Sequence, residues 1–392
     1  MVVADTLISD VDGERGRLII AGADVEQLAL VPEFASEPRG EQVPLGFASE
    51  PRAEQASWGP GGYEAVVHRV LLAGEGTAVQ PPSTAAHEVA TGRERDIARA
   101  LGQARAAAWA LVPGLGDALG HPDGMDALRT ALGHLRATGD HRTDAIAAIG
   151  AAPVFVAAWS RRRAGEAPIA PDPALSHATD YLQMTTGGPA DPARVRALDT
   201  YLVTVIDHAM SASTFTARVI ASTHSDLISA VVGAVGALKG PLHGGAPGPV
   251  LDMLDAIGTP DHAETWLLGE LAAGRRIMGM GHRVYRVRDP RAAVLEAAVR
   301  PLASPRLALA RAVETAAAKI LRERKPDRPL AANVEFYTAV LLDAVGLPRE
   351  QFAPTFAVSR LAGWSAHVIE ERRTGRLIRP ASRYLGAMPR QP

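Results

Sequence analysis

The chain has 392 residues, of which 47% are hydrophobic, so it can bury the core of one large or two modest domains. Its 41 basic and 43 acidic side chains give a formal net charge of −2, which excludes a global field for nucleic acid or an anionic membrane. Cysteine is absent, which excludes disulfides, thiolate metal sites and cysteine nucleophiles.

The N-terminal segment MVVADTLISDVDGERG lacks the basic start and the apolar core of a secretory signal. The longest apolar stretch, residues 147–159, is about half of the roughly 20 residues that a membrane span requires, and it contains Pro153. These observations predict a soluble, cytoplasmic protein that contacts neither membrane nor nucleic acid. Further along, ISDVDGERGRLIIAG predicts a small hairpin, because DG and RG separate short apolar runs.

Residues 30–90 differ from the rest of the chain. The nonamer FASEPRGEQ at 34–42 recurs as FASEPRAEQ at 47–55, a form that matches no known repeat architecture. Two polar, proline-bearing copies indicate a local duplication in an exposed loop. We therefore predict that residues 30–90 form a divergent, partly disordered loop region, and we assign the duplication no function.

From about Arg93 onward the pattern predicts helices. Residues 94–112, 125–138 and 306–324 place Ala, Leu, Ile or Val at three- and four-residue spacing, with arginine between them. Clusters of glycine and proline separate these segments, as short loops between packed helices do. Small residues along 222–240 predict a central buried helix. The fold class is therefore mainly α.

Two histidines lie in glycine-flanked turns, His243 in GPLHGGA and His282 in MGMGHRVYRVRDPRA, and an acid, Glu335, follows in NVEFY. Glycine beside a reactive side chain allows a ligand to approach the backbone closely. The arginines nearby match carboxylates with two parallel hydrogen bonds. This combination favours a multiply charged organic acid as the ligand.

The motifs GPLHGGA, MGHRVYRVRDPRA, NVEFY and SRLAGWSAH resemble those of the citrate synthase family, including its 2-methylcitrate synthase relatives, in order and spacing. The resemblance is firm from about residue 190 to Gly386, weaker near the N-terminus and poor over 30–90. It implies a two-domain helical fold in an obligate homodimer. Residues 1–244 and 348–392 would form the large domain, and residues 245–347 a smaller mobile domain that closes over the active site.

The resemblance also implies the reaction, the condensation of an acyl-CoA with oxaloacetate without metal or other cofactor. His243 matches the histidine that stabilises the enol of acetyl-CoA, and His282 the one that polarises the oxaloacetate carbonyl. Glu335 stands where much of the family has the aspartate that removes the methyl proton. We interpret Glu335 as an adapted base, although its extra methylene reaches about 1.3 Å further.

The binding residues are likewise implied by the resemblance. Oxaloacetate would be held by His208, Arg291, Arg360 and, from the partner subunit, Arg379. CoA would be bound by Arg286 and by the backbone of Ile277, Met278, Gly279, Met280 and Gly281. Trp364 and His367, both in the last motif, are interpreted as packing and structural residues.

Two alternatives remain open. A 2-methylcitrate synthase would use propionyl-CoA, which differs by one methyl group, a difference of about 1 to 3 kcal/mol in an acyl pocket. A non-catalytic paralogue would bind CoA or oxaloacetate, or modulate a sister synthase. Glu335, Pro247 in place of a frequent asparagine, and the duplicated segment favour the paralogue. Retention of all three histidines and all three substrate arginines opposes it.

Overall fold

A computed structural model describes residues 5–29, 62–79, 87–244, 247–326 and 330–386. Within these residues the chain is mainly helical, with short strands confined to the N-terminal part, which confirms the predicted fold class. The helices are α1 (Val25–Leu28), α2 (Tyr63–Gly74), α3 (His87–Trp109), α4 (Gly124–Leu132), α5 (His141–Arg163), α6 (His177–Thr186), α7 (Pro192–Thr204), α8 (Ala212–Ser222), α9 (Leu227–Leu238), α10 (Pro247–Ile257), α11 (Ala263–Ala272), α12 (Pro290–Val299), α13 (Pro305–Arg324), α14 (Val334–Val345) and α15 (Phe352–Thr374). Short 3₁₀ turns cover Val112–Gly120, Pro260–His262, Arg300–Leu302 and Arg349–Gln351.

Many of these helices begin at a side chain that caps their first turn. The capping oxygen accepts a hydrogen bond from a backbone N–H that has no partner within the helix. From α4 to α9 the capping residues are Asp123, Asp140, Ser176, Asp191, Ser211 and Asp226. Local sequence therefore determines where these helices start.

The N-terminal hairpin is confirmed. Strands β1 (Ser9–Asp12) and β2 (Arg17–Ile20) pair antiparallel, and β3 (Ala23–Asp24) adds to β2. The hairpin turn packs on the segment that carries His282, because a Cβ at Gly13 would lie 2.4 Å from the carbonyl oxygen of Val284. The hairpin therefore covers one side of that segment.

The prediction of a loop over residues 30–90 is wrong for part of that range. Residues Tyr63–Gly74 form helix α2, and α3 begins at His87. Val66, Val67, Val70 and Leu71 are buried at helical spacing, a pattern that the polar duplication upstream obscured. The duplicated segments at 34–42 and 47–55 lie outside the described residues.

The segment 222–240 is not one continuous helix. Helix α8 ends at Ser222 and α9 begins at Leu227. Between them His224 has a φ of 67°, in the left-handed region that favours glycine, and the Asp226 carboxylate accepts a hydrogen bond from the Ser229 N–H at 2.8 Å. The predicted burial is confirmed for α9, whose Leu227, Ala230 and Val231 are inaccessible to solvent.

Helices α5 and α15 run through the core, and α15 packs against α2, α5, α8 and α9. By length and composition α5 could cross a membrane, but 83% of its apolar window is buried inside the protein, as in the core helix of a folded domain. Close packing of α2 on α15 depends on Gly74, where a Cβ would lie 2.6 Å from the carbonyl oxygen of Ala366.

Helices α10 to α14 lie in the region predicted as the mobile small domain. Helices α12 and α14 pack against each other and against α7, which belongs to the predicted large domain. The domain boundaries at 244/245 and 347/348 stay a prediction. Side chains from both predicted domains meet where α7, α12 and α14 converge.

Candidate active site

Six of the predicted site residues come together from six places in the chain. His208 follows α7, His243 follows α9, His282 lies between α11 and α12, Arg291 and Glu335 occupy the first turns of α12 and α14, and Arg360 lies in the middle of α15. The rings of His208 and His282 are 5.5 Å apart between centroids. Arg291 and Arg360 both act electrostatically on His208 and on Glu335. The cluster therefore combines three imidazoles, a carboxyl group and two guanidinium groups.

His243 has a defined proton position. Its Nε2 lies 2.8 Å from Ser213 Oγ and accepts a hydrogen bond from the Ser213 backbone N–H at 3.3 Å. A nitrogen that accepts from an N–H carries no proton of its own, so the proton of the neutral ring is on Nδ1. Burial and the charge of Arg360 lower the pKa of His243 to about 4. At neutral pH His243 is therefore an uncharged Nδ1–H donor.

His282 has the opposite tautomer. Its Nδ1 accepts hydrogen bonds from the backbone N–H groups of Val284 and Tyr285, both at 3.0 Å. The proton of the neutral ring must then be on Nε2. Burial and the charge of Arg291 lower the pKa of His282 to about 4. The loop that carries His282 thus fixes it as an Nε2–H donor.

His208 is held by aromatic neighbours. Its Nε2 lies 3.3 Å from the hydroxyl of Tyr285, and its ring meets the Tyr285 ring edge-on with centroids 5.6 Å apart. Burial, followed by the charges of Arg291 and Arg360, lowers the pKa of His208 well below its ordinary value. His208 is therefore neutral, and the positive charge of the site resides on the arginines.

Glu335 is the acid of the cluster. Its side chain is 9% exposed, and its Oε2 has no hydrogen-bond partner among the described residues. Burial raises the pKa of Glu335 to about 7, although Arg291 and Arg360 oppose the increase. A carboxyl group with a pKa near neutrality and an unpartnered oxygen is suited to accept a proton.

The two buried arginines differ in their partners. Arg291 forms a double hydrogen bond with Asp289, from Nε to Oδ1 at 3.0 Å and from Nη2 to Oδ2 at 2.8 Å. Arg360 donates from Nε to the Val205 carbonyl at 2.8 Å, and among the described residues it forms no ion pair with a carboxylate. Burial lowers the pKa of Arg360 to about 10. Arg360 is a buried cation that a carboxylate ligand would neutralise.

The loop predicted to receive CoA is bonded to the residues that precede Glu335. The Asn333 N–H donates to the Gly279 carbonyl at 2.9 Å, and the Gly281 N–H donates to the Ala331 carbonyl at 2.7 Å. Gly279 has a φ of 71°, and a Cβ there would lie 2.8 Å from the Phe336 ring. Ile277 is buried, whereas Met278 and Met280 are partly exposed. CoA binding at this loop stays a prediction.

Two predicted binding residues lie outside the cluster. Arg286 is exposed, and its backbone N–H donates to the Gly13 carbonyl at 3.0 Å. Arg379 is also exposed and lines a separate cavity of about 740 Å³ beside Arg218 and the end of α15. Within a single chain Arg379 therefore does not join His208 and Arg360. Its predicted place in the partner's site requires a second copy.

Sequence reasoning missed the residues that orient the predicted ones. Ser213 and Tyr285 contact His243 and His208 as described above, and the Trp364 indole N–H donates to Ser213 Oγ at 3.1 Å. Asp207 is fully buried beside His208, and its Oδ2 accepts hydrogen bonds from Ser9 Oγ and from the Ala209 N–H.

A signal for part of this set was present in the sequence. Arg360, Trp364, His367 and Glu371 follow a spacing of four, three and four residues, which places them on one face of α15. Each makes a polar contact on that face, His367 with Asp207 at 3.4 Å and Glu371 with Arg218 at 2.9 Å. A polar stripe along an otherwise apolar helix indicates a buried hydrogen-bond network.

The arrangement provides two neutral N–H donors of fixed direction, a carboxyl group near neutrality and two buried cations. Such a set can stabilise negative charge on two carbonyl oxygens, remove a proton and hold carboxylates. In the described part of the chain, His, Asp and Glu side chains form no group of three or more that could hold a metal ion.

Comparisons with known proteins agree with the sequence motifs. The family model for the citrate synthase C-terminal domain matches residues 1–381. The chain is 34% identical to the citrate synthase of Haloferax volcanii over 388 residues, 98% of this chain and 94% of that protein. It is also 50% identical to a Mycobacterium tuberculosis protein with the provisional name citrate synthase 2. That alignment extends over 205 residues, 52% of this chain and 55% of the other protein.

A solved structure extends the agreement to the fold. The citrate synthase of Thermotoga maritima superposes with a TM-score of 0.77 at 30% identity, covering 100% of this chain and 95% of that one. A family model over nearly the whole chain and a relative aligned along nearly its full length point the same way. The chain belongs to the citrate synthase family.

Proposed function

We propose that the protein condenses acetyl-CoA with oxaloacetate and hydrolyses the resulting thioester to citrate and CoA. The observation that carries the proposal is the pair of oppositely oriented neutral histidines, His243 with its proton on Nδ1 and His282 with its proton on Nε2. The reaction develops negative charge on two different carbonyl oxygens, one in each substrate. Two separate donors beside one base match that requirement.

In the first step Glu335 takes a proton from the methyl group of acetyl-CoA. The electron pair of the C–H bond moves toward the thioester carbonyl, whose oxygen receives the His243 Nδ1–H hydrogen bond. A pKa of about 7 allows Glu335 to be ionised at and above neutral pH and still basic enough to accept the proton. Because His243 donates a hydrogen bond and keeps its proton, the product of this step is an enolate whose oxygen carries the negative charge.

In the second step the nucleophilic carbon of the enolate attacks the keto carbon of oxaloacetate. The keto oxygen receives the His282 Nε2–H hydrogen bond as it becomes an alkoxide. Arg291 and Arg360 would hold the carboxylates of oxaloacetate together with His208, and Arg379 would come from the partner subunit of a homodimer. The proton that Glu335 removed returns through solvent to the alkoxide, which becomes the hydroxyl group of the condensed thioester. Water then hydrolyses the thioester, releasing CoA and citrate, and no further cofactor takes part. We place this reaction in the cytoplasm.

The test is the initial rate of free thiol release, measured with a thiol reagent in the presence of oxaloacetate and either acetyl-CoA or propionyl-CoA. The chain contains no cysteine, so the protein itself does not react with the reagent. We expect oxaloacetate-dependent release that is lost in His282→Ala. The ratio of the two rates assigns the acyl preference, and faster release from propionyl-CoA would make the protein a 2-methylcitrate synthase.

Three results would contradict the proposal. Release of thiol without oxaloacetate would indicate a hydrolase, and wild-type activity in His282→Ala would remove the assigned role of that residue. Stoichiometric oxaloacetate binding, measured by calorimetry, without thiol release from either acyl-CoA would support the non-catalytic paralogue.

The folding of His282→Ala is checked by comparing its circular dichroism with that of the wild type. This control separates a loss of activity from a loss of folded structure.

A further inference from the structure

We infer that Trp364 is a positioning residue for catalysis, which acts together with the Ser213 backbone N–H to keep the proton of His243 on Nδ1, by orienting the hydroxyl group of Ser213. The inference rests on the proposed function, because it concerns the donor that stabilises the enolate. Trp364 lies in α15 and is fully buried, and its Nε1–H donates to Ser213 Oγ at 3.1 Å. Ser213 Oγ in turn lies 2.8 Å from His243 Nε2.

The direction of this relay follows from what each group can do. An indole N–H is a donor only, so Trp364 must use a lone pair of Ser213 Oγ. The hydroxyl proton of Ser213 then needs an acceptor, and His243 Nε2 is nearer than Ser211 Oγ, which lies 3.2 Å away. A hydroxyl group that accepts one hydrogen bond becomes a stronger donor in the next. Trp364 therefore favours the hydroxyl orientation that keeps His243 Nε2 unprotonated.

Without the indole N–H, the hydroxyl group of Ser213 could adopt either of two orientations. Its hydroxyl could turn toward Ser211 and accept a hydrogen bond from His243 Nε2–H, which is the other tautomer of the ring. That tautomer has no proton on Nδ1 and cannot donate to the thioester oxygen. The backbone N–H of Ser213 still opposes the change, but its hydrogen bond at 3.3 Å is the longer of the two contacts with Nε2. Loss of Trp364 should therefore produce a mixture of tautomers.

The variant Trp364→Phe tests this role, because it removes the N–H and keeps a buried aromatic ring. Trp159→Phe is the matched control. Trp159 is also buried, and its Nε1–H donates at 2.8 Å to the carbonyl oxygen of His121, far from the histidine cluster in sequence. Both variants lose one indole hydrogen bond and ring volume, so a general effect on packing would appear in both.

The first measurement is ¹⁵N NMR of the histidine ring nitrogens, with the His243 signals assigned by their loss in His243→Asn. We expect an Nδ1–H ring in the wild type and in Trp159→Phe, and a mixture of tautomers in Trp364→Phe. A pure Nδ1–H ring in Trp364→Phe would overturn the inference. This readout does not depend on turnover, so it decides the inference even if no thiol is released and the proposed function fails.

The second measurement is steady-state thiol release in a double-mutant cycle with Ser213→Ala. Trp364→Phe should lower kcat about 5-fold with KM for both substrates unchanged, as expected when about one His243 ring in five keeps the competent Nδ1–H tautomer. In the Ser213→Ala background, Trp364→Phe should have no further effect, because the relay is already broken. An equal loss of kcat in both backgrounds would show that Trp364 acts by packing alone.

Discussion

Burial, rather than a neighbouring acid, sets the ionisation of Glu335. Its amide N–H bonds to the Asn333 side chain at 3.0 Å at the start of α14, where the helix dipole favours a carboxylate. Arg291 and Arg360 also favour the ionised form, yet the pKa is raised to about 7 because the carboxyl group is removed from water. Ionised Glu335 therefore lowers the free energy of unfolding, and a neutral residue at this position should raise it.

Glu335→Gln should abolish thiol release and stabilise the fold at pH 8. The pKa is raised from 4.5 to about 7, so folding favours the protonated form and stability falls as the pH rises between these values. At pH 8 the neutral amide should increase the free energy of unfolding by up to about 3 kcal/mol. Urea unfolding at pH 8 and pH 5 measures this difference.

At pH 5 folded wild-type Glu335 is mostly protonated, and because the unfolded-state pKa is 4.5 the difference in stability between the two proteins should fall to less than about 1 kcal/mol. Glu323→Gln, which replaces an exposed glutamate in the last turn of α13, is the control and should change stability little at either pH. A glutamine variant that is less stable than the wild type at pH 8 would mean that ionised Glu335 stabilises the fold.

At the scale of secondary-structure elements, the position of His208 depends on how closely α15 approaches the segment after α7. Gly363 lies in α15, and a Cβ there would be 2.4 Å from the Ile206 carbonyl oxygen and 2.6 Å from Asp207 Oδ1. Asp207 immediately precedes His208 and shares hydrogen bonds with Ser9 and His367. The contact between α15 and this segment therefore determines where the His208 ring lies.

Gly363→Ala should displace the His208 segment. The added methyl group meets a backbone oxygen that cannot move alone, and such overpacking costs about 1 to 3 kcal/mol of stability. We expect KM for oxaloacetate to rise more than KM for acetyl-CoA, as measured by thiol release. Gly269→Ala is the control, since a Cβ at this exposed position in α11 would meet nothing and should stabilise by about 0.5 to 1 kcal/mol. Equal KM values in Gly363→Ala and the wild type would contradict the prediction.

The sequence predicts those features of the fold and of the candidate site that depend on neighbouring residues. His243, His282 and Glu335 lie in short motifs. Helices such as α13 are predicted by apolar residues that recur every three or four positions in the sequence. The tautomer of His282 is also set locally, by the backbone N–H groups of Val284 and Tyr285.

The groups that set the proton position of His243 are remote in the chain. Ser213 is 30 residues from His243, and Trp364 is 151 residues from Ser213. The tautomer of His243 depends on these long-range contacts, so the residues around His243 do not predict it.

At the scale of the whole molecule, Arg379 does not join the predicted site within a single chain. Arg379 is exposed beside a cavity lined by residues of α8 and of the N- and C-terminal segments of its own chain. Arg360 lies buried with no carboxylate partner among the described residues. Leu377, Tyr384 and Leu385 are 61%, 70% and 80% exposed. Large exposed apolar side chains on a terminal segment are typical of a surface that another chain covers. This arrangement agrees with the proposed homodimer, in which Arg379 enters the partner's site.

The proposed exchange of Arg379 predicts complementation between two inactive variants. In a heterodimer of Arg379→Ala and Glu335→Gln subunits, the first subunit keeps its own Glu335 and receives an intact Arg379 from its partner. The other site lacks both groups. Heterodimers purified through two different affinity tags should therefore have about half of the wild-type kcat per dimer, although each homodimer is inactive, since one of two sites in a C₂ dimer is complete.

An Arg379 that acts within its own chain would give an inactive heterodimer. If Arg379 served the site of its own chain, every site in the heterodimer would lack either Arg379 or Glu335, and no activity would return. A heterodimer of Glu335→Gln with His282→Ala is the control, because both substitutions lie in groups that act within one chain, and it should stay inactive. Substantial activity in the Arg379→Ala homodimer would remove Arg379 from substrate binding altogether. The heterodimer measurement thus shows whether Arg379 enters the partner's site or the site of its own chain. The result does not depend on which acyl-CoA the protein prefers.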